Sequence, residues 1–171
     1  MLAYVEQYAE ELRKVGEESF RRAHAWPSLV VLGMAGDLAG SRSSGTSIIN
    51  VADSVMERGS LTGRVFPVMK AKYSTPGAIN VGRTSENDIV IPEYSISRKH
   101  CFIALVDGVY RISDCGSANG TLIDGVQIAK QSPQKLRGGE SLTLGRLLLL
   151  FLPPREFHAY ITKLIPTNEF A

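Results

Sequence analysis

The sequence has few cysteines, no long apolar run and almost no excess of either charge. Two cysteines, Cys101 and Cys115, in 171 residues are too few for a disulfide framework and are typical of a reducing compartment. The longest apolar run spans Leu147 to Leu152, far short of the about 20 residues that a membrane-spanning helix needs. A formal net charge of +2 gives no reason to expect nucleic acid or a membrane surface as a partner.

The beginning of the chain also lacks the features of a targeting segment. Its first residues, MLAYVEQYAEELRKVG, mix acidic and basic residues with apolar ones, unlike a signal peptide. The composition, with 44% apolar and 21% charged residues, is that of a globular protein. The length suffices for one well-buried domain with extensions. We therefore expect a single-domain cytoplasmic protein.

Residues 1–60 are predicted to form a helical extension and a flexible loop that pack on the main domain. Apolar side chains recur at three- and four-residue spacing from Leu2 to Ala23, which predicts a helix over residues 2 to about 24. Either its apolar stripe docks on the same chain, or it pairs with a second copy in a homodimer. Gly16 and Ser19 lie where a dimer seam would need larger side chains, which favours docking.

After this helix the sequence predicts a strand and then a loop. Trp26-Pro27 ends the helix, and residues 28–32 form an apolar run typical of a short strand. Residues 33–46 are rich in Gly, Ser and Ala and are predicted to be the flexible loop, because they lack the Gly-Lys-Ser/Thr ending of a phosphate loop. Residues 48–56 fit a short helix or a short strand equally well.

From Arg64 onwards the sequence consists of short apolar runs separated by turn residues. Asp-Gly, Asn-Gly and Gly-Gly pairs stand between the runs at positions 107–108, 119–120, 124–125 and 138–139, and such pairs favour tight turns. Many short strands at close spacing indicate an all-β sandwich or barrel. The predicted strands are residues 65–69, 78–81, 88–91, 101–106, 109–114, 121–123 and 141–152.

Two of the predicted strands are apolar on both faces. Alternate side chains of a strand point to opposite sides, yet residues 101–106 and 147–152 have apolar side chains on both. A strand with one face in water would alternate with polar residues, so we expect another element, first of all the N-terminal helix, to cover part of the outer face. A second candidate is a short helix within residues 154–171, where Phe157, Ile161 and Leu164 recur at helical spacing and Pro154 suits the first turn.

Three short motifs at the ends of predicted strands supply the donors that bind a phosphoryl group. A phosphate monoester carries a charge of about −1.5 to −2 and three strong acceptor oxygens. An arginine matches two of these oxygens with its planar fork. A serine hydroxyl is a further donor, and an asparagine amide both donates to and accepts from a peptide backbone. The motifs are Gly82-Arg83, Ser97-Arg98-Lys99-His100 and Ser117-Ala118-Asn119-Gly120.

On these motifs, in this order and at these intervals, residues 64–153 resemble a forkhead-associated (FHA) domain. The connecting segments NDIVIPEYSISRKHCFI and YRISDCGSANGTLIDG are also similar to the family. The resemblance covers slightly more than half of the chain. It implies an FHA-type β-sandwich of eleven strands at residues 61–153, with an activity of recognising phosphothreonine in peptides and with no cofactor or metal.

The resemblance also implies roles for residues of the motifs. Arg83 and Ser97 would hold the phosphate, Arg98 would add a contact, and Asn119 would bond the ligand backbone. The loops that carry them would be shaped by the remaining motif residues, namely Gly82, His100, Ser117 and Gly120.

Two further positions bear on the choice of ligand. Ser95 lies where some family members place a residue that helps to select the third residue after the phosphothreonine. Ala118 stands where other members often have Thr, Lys or Arg facing the ligand, so one contact found elsewhere in the family is missing. The sequence preference of the site is therefore left open.

These residues predict a cytoplasmic, non-catalytic adaptor that binds a phosphothreonine-containing protein, either a Ser/Thr kinase or its substrate. The alternative is a phospho-independent interaction or dimerisation module of the same fold. A hydrolase built on Ser97, His100 and Asp114 is disfavoured because no Gly-x-Ser-x-Gly elbow surrounds the serine. A zinc site at His100, Cys101 and Cys115 is disfavoured because adjacent residues of a strand point to opposite faces.

Overall fold

The computed structural model describes residues 4–35 and 60–166. The predictions for residues 48–56 and for most of the loop at 33–46 lie outside the described residues. The helices are α1 (Val5–Val15), α2 (Glu17–Ala23) and α3 (Pro154–Lys163). The strands are β1 (Ser28–Met34), β2 (Val65–Pro67), β3 (Ile79–Gly82), β4 (Ile89–Val90), β5 (Cys101–Val106), β6 (Val109–Asp114), β7 (Thr121–Ile123), β8 (Val126–Gln127), β9 (Gln134–Leu136), β10 (Ser141–Leu144) and β11 (Leu147–Leu152).

The strands form two sheets that enclose an apolar core. One sheet has six strands in the order β2-β1-β11-β10-β7-β8, and the other has five in the order β4-β3-β5-β6-β9. Alternate side chains from both sheets, such as Leu149 and Phe151 on β11 and Ile103 on β5, are buried between them. This arrangement confirms the predicted all-β sandwich with an N-terminal and a C-terminal helical segment.

Strand β1 belongs to the sandwich, although residues 1–60 are predicted to be an extension. It pairs with β11 on one side and with β2 on the other, both antiparallel. Leu29 and Val31 are buried in the core between the sheets. The predicted strand at 28–32 is confirmed, and we propose that the sandwich starts at Ser28 rather than at residue 61.

The N-terminal segment contains two helices where one was predicted. Gly16 separates α1 from α2 and has a φ of +77°, a conformation that glycine adopts at little cost. The apolar stripe of α1, with Val5, Tyr8 and Leu12, is buried against α2 and α3. Docking on the same chain, rather than pairing with a second copy, therefore accounts for this stripe.

The helices cover one of the two strands that are apolar on both faces. Leu150 and Leu152 of β11 pack on the outer side of the six-stranded sheet against Phe20, Phe157 and other helical residues. No residue of β5 belongs to that cluster, and the outer side of β5 remains open at Val106, which is 43% exposed. The expected cover is thus correct for β11 and wrong for β5, because the helices lie on the opposite sheet.

Helix α3 confirms the predicted C-terminal helix. Pro154 is its first residue, and Phe157 and Ile161 are fully buried against the other helices and β11. Proline suits this position because its missing N–H has no helical partner there. Within residues 4–35 and 60–166, no helix is long and apolar enough to span a membrane.

The remaining differences from the predicted strands concern short or irregular elements. Strands β8 and β9 were not predicted, and the run at 141–152 is divided into β10 and β11 by a turn at Gly145.

Asp107-Gly108 and Asp124-Gly125 form hairpin turns with positive φ at both residues, as expected for type I′ turns. Asn119-Gly120, by contrast, lies in a connection that crosses from the five-stranded to the six-stranded sheet.

Asp88 joins the segment before β3 to β3 itself. Its carboxylate accepts hydrogen bonds from Lys70 Nζ at 2.8 Å, from the Ala71 N–H at 3.0 Å and from the Asn80 N–H at 2.8 Å. Burial alone would raise the pKa of Asp88, but the hydrogen bonds from Lys70, Ser74 and the backbone outweigh it and lower the pKa to about 2. The folded state therefore favours the ionised form of this carboxyl.

We expect Asp88→Asn to lower the free energy of unfolding at pH 7 by about 1.5–3 kcal/mol, the range for charge-assisted hydrogen bonds. The folded pKa lies below the unfolded value of about 3.9. The contribution of Asp88 is therefore complete above pH 4 and is lost as the pH falls through about 2. Urea unfolding of both proteins should show a difference that shrinks between pH 4 and pH 2. Asp107→Asn, at an exposed turn position, is the control, and a gap that persists at pH 2 would contradict this explanation.

Candidate functional site

Loops at one end of the sandwich form a cleft of about 770 Å³. Six of the residues predicted for the site line it together, although they are distant in sequence. These are Arg83, Ser95, Ser97, Arg98, Ala118 and Asn119. The four predicted loop-shaping residues, Gly82, His100, Ser117 and Gly120, are buried behind them.

Gly82 allows the segment 97–99 to lie directly against the end of β3. A Cβ at position 82 would stand 2.1 Å from the Arg98 carbonyl oxygen, so no larger residue fits without displacing the backbone. Asn87 Nδ2 donates to that oxygen at 2.6 Å, and the Arg83 N–H donates to the Ser97 carbonyl at 3.1 Å. These contacts fix the loop of Ser97 relative to Arg83.

Arg83 has part of its guanidinium anchored and the rest directed to the cleft. Its Nε donates to the Ile96 carbonyl at 3.1 Å, while the residue as a whole is exposed and lines the cleft. Within the described part of the chain, no carboxylate forms an ion pair with it. Among the residues that the structure describes, the terminal nitrogens of Arg83 thus have no acceptor and are free to donate to a ligand.

Ser97 presents a hydroxyl whose proton is available to a ligand. The Ala118 N–H donates to Ser97 Oγ at 3.0 Å, so the oxygen is held by one bond and its own hydrogen can be donated outward. This bond also joins the loop of the second motif to that of the third. The Ala118 side chain is a methyl group, so it adds no polar contact to the cleft.

His100 connects the Ser97 loop to the third motif through hydrogen bonds of its two ring nitrogens. Its Nδ1 accepts from the Ser97 N–H at 3.1 Å, and its Nε2 lies 3.0 Å from the Gly120 carbonyl oxygen. These partners fix the tautomer with the proton on Nε2. Burial lowers the pKa of His100, opposed by the Gly120 carbonyl and by Asp114. The neutral ring bonds both loops and has no nitrogen left for a metal or a ligand.

Asp114, at the end of β6, organises the third motif. Its carboxylate accepts from the Gly116 and Ser117 N–H groups at 2.7 and 2.9 Å, and from the hydroxyls of Ser117 and Thr121 at 2.6 and 2.7 Å. Burial would raise the pKa of Asp114, but these bonds outweigh it and the pKa lies below its ordinary value. Ser117 Oγ in turn accepts from the Gly120 N–H at 3.0 Å, which completes the turn.

Asn119 and Ser95 meet on the other side of the cleft. Asn119 Nδ2 donates to the Ser95 carbonyl at 2.8 Å, which leaves its Oδ1 and one N–H for a ligand. Ser95 is 3% exposed, and its hydroxyl is bonded to Glu93 and to the Arg146 N–H. A direct contact between the Ser95 hydroxyl and a ligand finds no support in this geometry, and a role of position 95 in specificity stays a prediction.

The structure adds residues outside the three motifs to the site. Tyr94 lines the cleft and is 75% exposed, and Arg146 from the β10–β11 turn reaches its hydroxyl. Asp114 was considered only as part of a disfavoured catalytic set. The signal that the sequence offered for Tyr94 was an aromatic residue just before the second motif. No sequence pattern links residue 94 with residue 146.

The arrangement differs from a catalytic triad. His100 bonds the backbone N–H of Ser97 rather than its hydroxyl, and Asp114 bonds Ser117 and Thr121. A general base is bonded to the nucleophile that it activates, whereas in the described residues the Ser97 hydroxyl is bonded to the Ala118 N–H and not to His100. The cleft instead combines outward-facing donors and positive charges from Arg83, Arg98 and Lys99, which is suited to binding an anion.

Comparisons with known proteins find a family whose model matches the segment that carries this cleft. A family model described as the FHA domain matches residues 79–145. An ABC transporter ATP-binding/permease protein of Mycobacterium tuberculosis is 36% identical over 66% of this chain, and a probable serine/threonine-protein kinase of Dictyostelium discoideum is 33% identical over 51%. The chain spans only 12% and 16% of the lengths of these two relatives. The solved FHA domain of a Chlamydia trachomatis protein has 25% identity and a TM-score of 0.48, over 74% of this chain and 96% of that one.

Proposed function

We propose, from the match of residues 79–145 to the FHA domain, that the chain is a non-catalytic adaptor that binds phosphothreonine-containing peptides. The observation that carries the proposal is the meeting of Arg83 and Ser97 in one cleft, each with an uncommitted donor. A phosphate needs several charge-assisted donors at once, and these two come from loops that are bonded to each other.

The remaining site residues have complementary roles in this proposal. Arg98 and Lys99 line the same cleft and add positive charge near the phosphate. Asn119 offers an acceptor and a donor to the backbone of the bound peptide, since only one of its amide hydrogens is engaged by Ser95. His100 and Asp114 act indirectly, by holding the loops that carry Ser97, Ala118 and Asn119.

We also propose that the adaptor acts in Ser/Thr kinase signalling. A phosphothreonine ligand requires a kinase that produces it, so the partner is either such a kinase or its substrate. One relative with a matching segment is named a probable serine/threonine-protein kinase, which supports this association. We place the adaptor in the cytoplasm, where these phosphoproteins arise.

One peptide sequence prepared with threonine, phosphoserine and phosphothreonine tests the proposal. A pool of peptides with fixed phosphothreonine and randomised neighbours first supplies the sequence. We expect phosphothreonine to bind most tightly and threonine to bind at least about tenfold more weakly, because one charge-assisted hydrogen bond contributes about 1.5–3 kcal/mol. Fluorescence polarisation of labelled peptides measures the three dissociation constants.

The same measurement separates the proposal from its alternative. Equal affinity for all three peptides would contradict phosphate recognition and would favour a phospho-independent interaction module. A scrambled phosphothreonine peptide of the same composition controls for attraction by charge alone.

A further inference from the structure

Tyr94 and Arg146 form a second polar feature at the edge of the cleft. Arg146 Nη1 donates to the Tyr94 hydroxyl at 2.8 Å. Both residues are exposed, and Tyr94 lines the cleft together with Arg83, Ser97 and Asn119. Among the described residues, no carboxylate pairs with the Arg146 guanidinium. Its charge is therefore accessible beside the proposed phosphate site.

The position of Arg146 is fixed by its backbone. The Arg146 N–H donates to Ser95 Oγ at 2.9 Å. The preceding residue, Gly145, approaches Ser95 so closely that a Cβ there would lie 2.4 Å from the Ser95 carbonyl oxygen. Because Ser95 and Ser97 lie in the same loop, this contact joins the β10–β11 turn to the loop that carries Ser97. The Ser95 carbonyl also accepts from the Asn119 amide. The Arg146 side chain thus extends from an anchored point.

The charges around the cleft do not balance against a phosphate alone. Three cationic side chains line it, Arg83, Arg98 and Lys99, and Arg146 adjoins it through its bond to the Tyr94 hydroxyl. Glu86 is the one carboxylate among the described lining residues. Glu93, on the neighbouring loop, is turned inward and bonded to the Ser95 N–H at 2.9 Å. With Arg146 included, three positive charges remain in excess, whereas a phosphate supplies at most about two negative ones.

We infer that Arg146, held by Tyr94, is a specificity-determining residue that selects peptides carrying an acidic residue in addition to the phosphothreonine. A carboxylate of the peptide would accept from the guanidinium as a charge-assisted partner. The ring of Tyr94 would form the apolar wall between this carboxylate and the phosphate. This inference rests on the proposed function, because it assumes that a phosphothreonine peptide occupies the cleft.

The test uses phosphothreonine peptides in which one position at a time carries Asp, Ala or Lys, from four residues before to four residues after the phosphothreonine. We expect one position at which Asp binds about two- to fivefold more tightly than Ala, as for one exposed ion pair, and Lys more weakly. In Arg146→Glu the ratio of Asp to Lys affinities at that position should fall to one or invert. Tyr94→Phe should also reduce the ratio, because Arg146 loses the hydroxyl that holds its guanidinium.

Arg155→Glu is the matched control, since Arg155 is exposed on α3 outside the cleft. It makes the same charge change and should leave the ratio unaltered. Thermal unfolding of Arg146→Glu should match that of the wild type, because the backbone bond to Ser95 does not depend on the side chain.

The outcomes for this inference and for the proposed function are distinct. If the wild type binds none of the phosphothreonine peptides, the proposed function fails and this inference with it. If the wild type binds them but no position prefers Asp, or if Arg146→Glu keeps the preference, the inference alone is overturned.

Discussion

Replacing Arg83 with alanine is expected to lower the affinity for a phosphothreonine peptide by well over tenfold. The variant removes the guanidinium whose Nε is held by the Ile96 carbonyl and whose terminal nitrogens face the cleft. Two charge-assisted hydrogen bonds at about 1.5–3 kcal/mol each exceed the 1.4 kcal/mol that corresponds to a factor of ten. Isothermal titration calorimetry with the selected peptide measures the change.

Two variants serve as controls for this loss. Arg83→Lys keeps the charge but lacks the planar fork, so its affinity should lie between those of the wild type and the alanine variant. Arg155→Ala removes an exposed arginine from α3 and should have no effect. Because Arg83 is itself exposed, its removal should leave the fold intact. Undiminished binding by Arg83→Ala would show that the phosphate site lies elsewhere.

Gly82→Ala is expected to reduce both the stability of the fold and the affinity for the peptide. The added Cβ would stand 2.1 Å from the Arg98 carbonyl oxygen and 2.7 Å from Asn87 Nδ2. Since the nearest obstacle is backbone, the segment 97–99 must move and its bond with Asn87 must lengthen. Overpacking of this kind costs about 1–3 kcal/mol, and we expect the upper end. The displaced Ser97 loop should lower affinity by at least about tenfold, the loss of one charge-assisted bond.

Asn80→Ala is the control for Gly82→Ala because it changes an exposed side chain on the same strand, β3. Chemical unfolding and calorimetry should show near wild-type stability and affinity for this variant. A Gly82→Ala protein that is as stable as the wild type and binds as tightly would contradict the described approach of the two backbones.

Much of the fold follows from local patterns in the sequence. Strands β5 and β11 are apolar runs, β6 follows a tight Asp-Gly turn, and α3 begins at a proline before buried Phe157 and Ile161. Strands β8 and β9 are less apparent because they are short and their side chains are largely exposed, as Val126 is at 69%. The break at Gly16 depends on how α1 and α2 pack together, which helical spacing alone does not specify.

The site was predictable where its residues share a short motif. Arg83, Ser97 and Asn119 were identified from three motifs, and the structure brings them to one cleft. The contact between Tyr94 and Arg146 joins residues 52 positions apart, and it exists because the β10–β11 turn of one sheet meets a loop of the other. The buried state of Ser95 has the same cause. Such contacts between sheets leave no periodic signal in the sequence.

The most direct test of phosphate recognition by Arg83 is a double-mutant cycle between this residue and the phosphate. Calorimetry would give the affinities of the wild type and Arg83→Ala for one peptide in its phosphothreonine and threonine forms. A direct contact predicts that the substitution weakens binding of the phosphorylated form by well over tenfold and leaves the already weak binding of the other unchanged. An equal loss for both forms, or no loss for either, would contradict it.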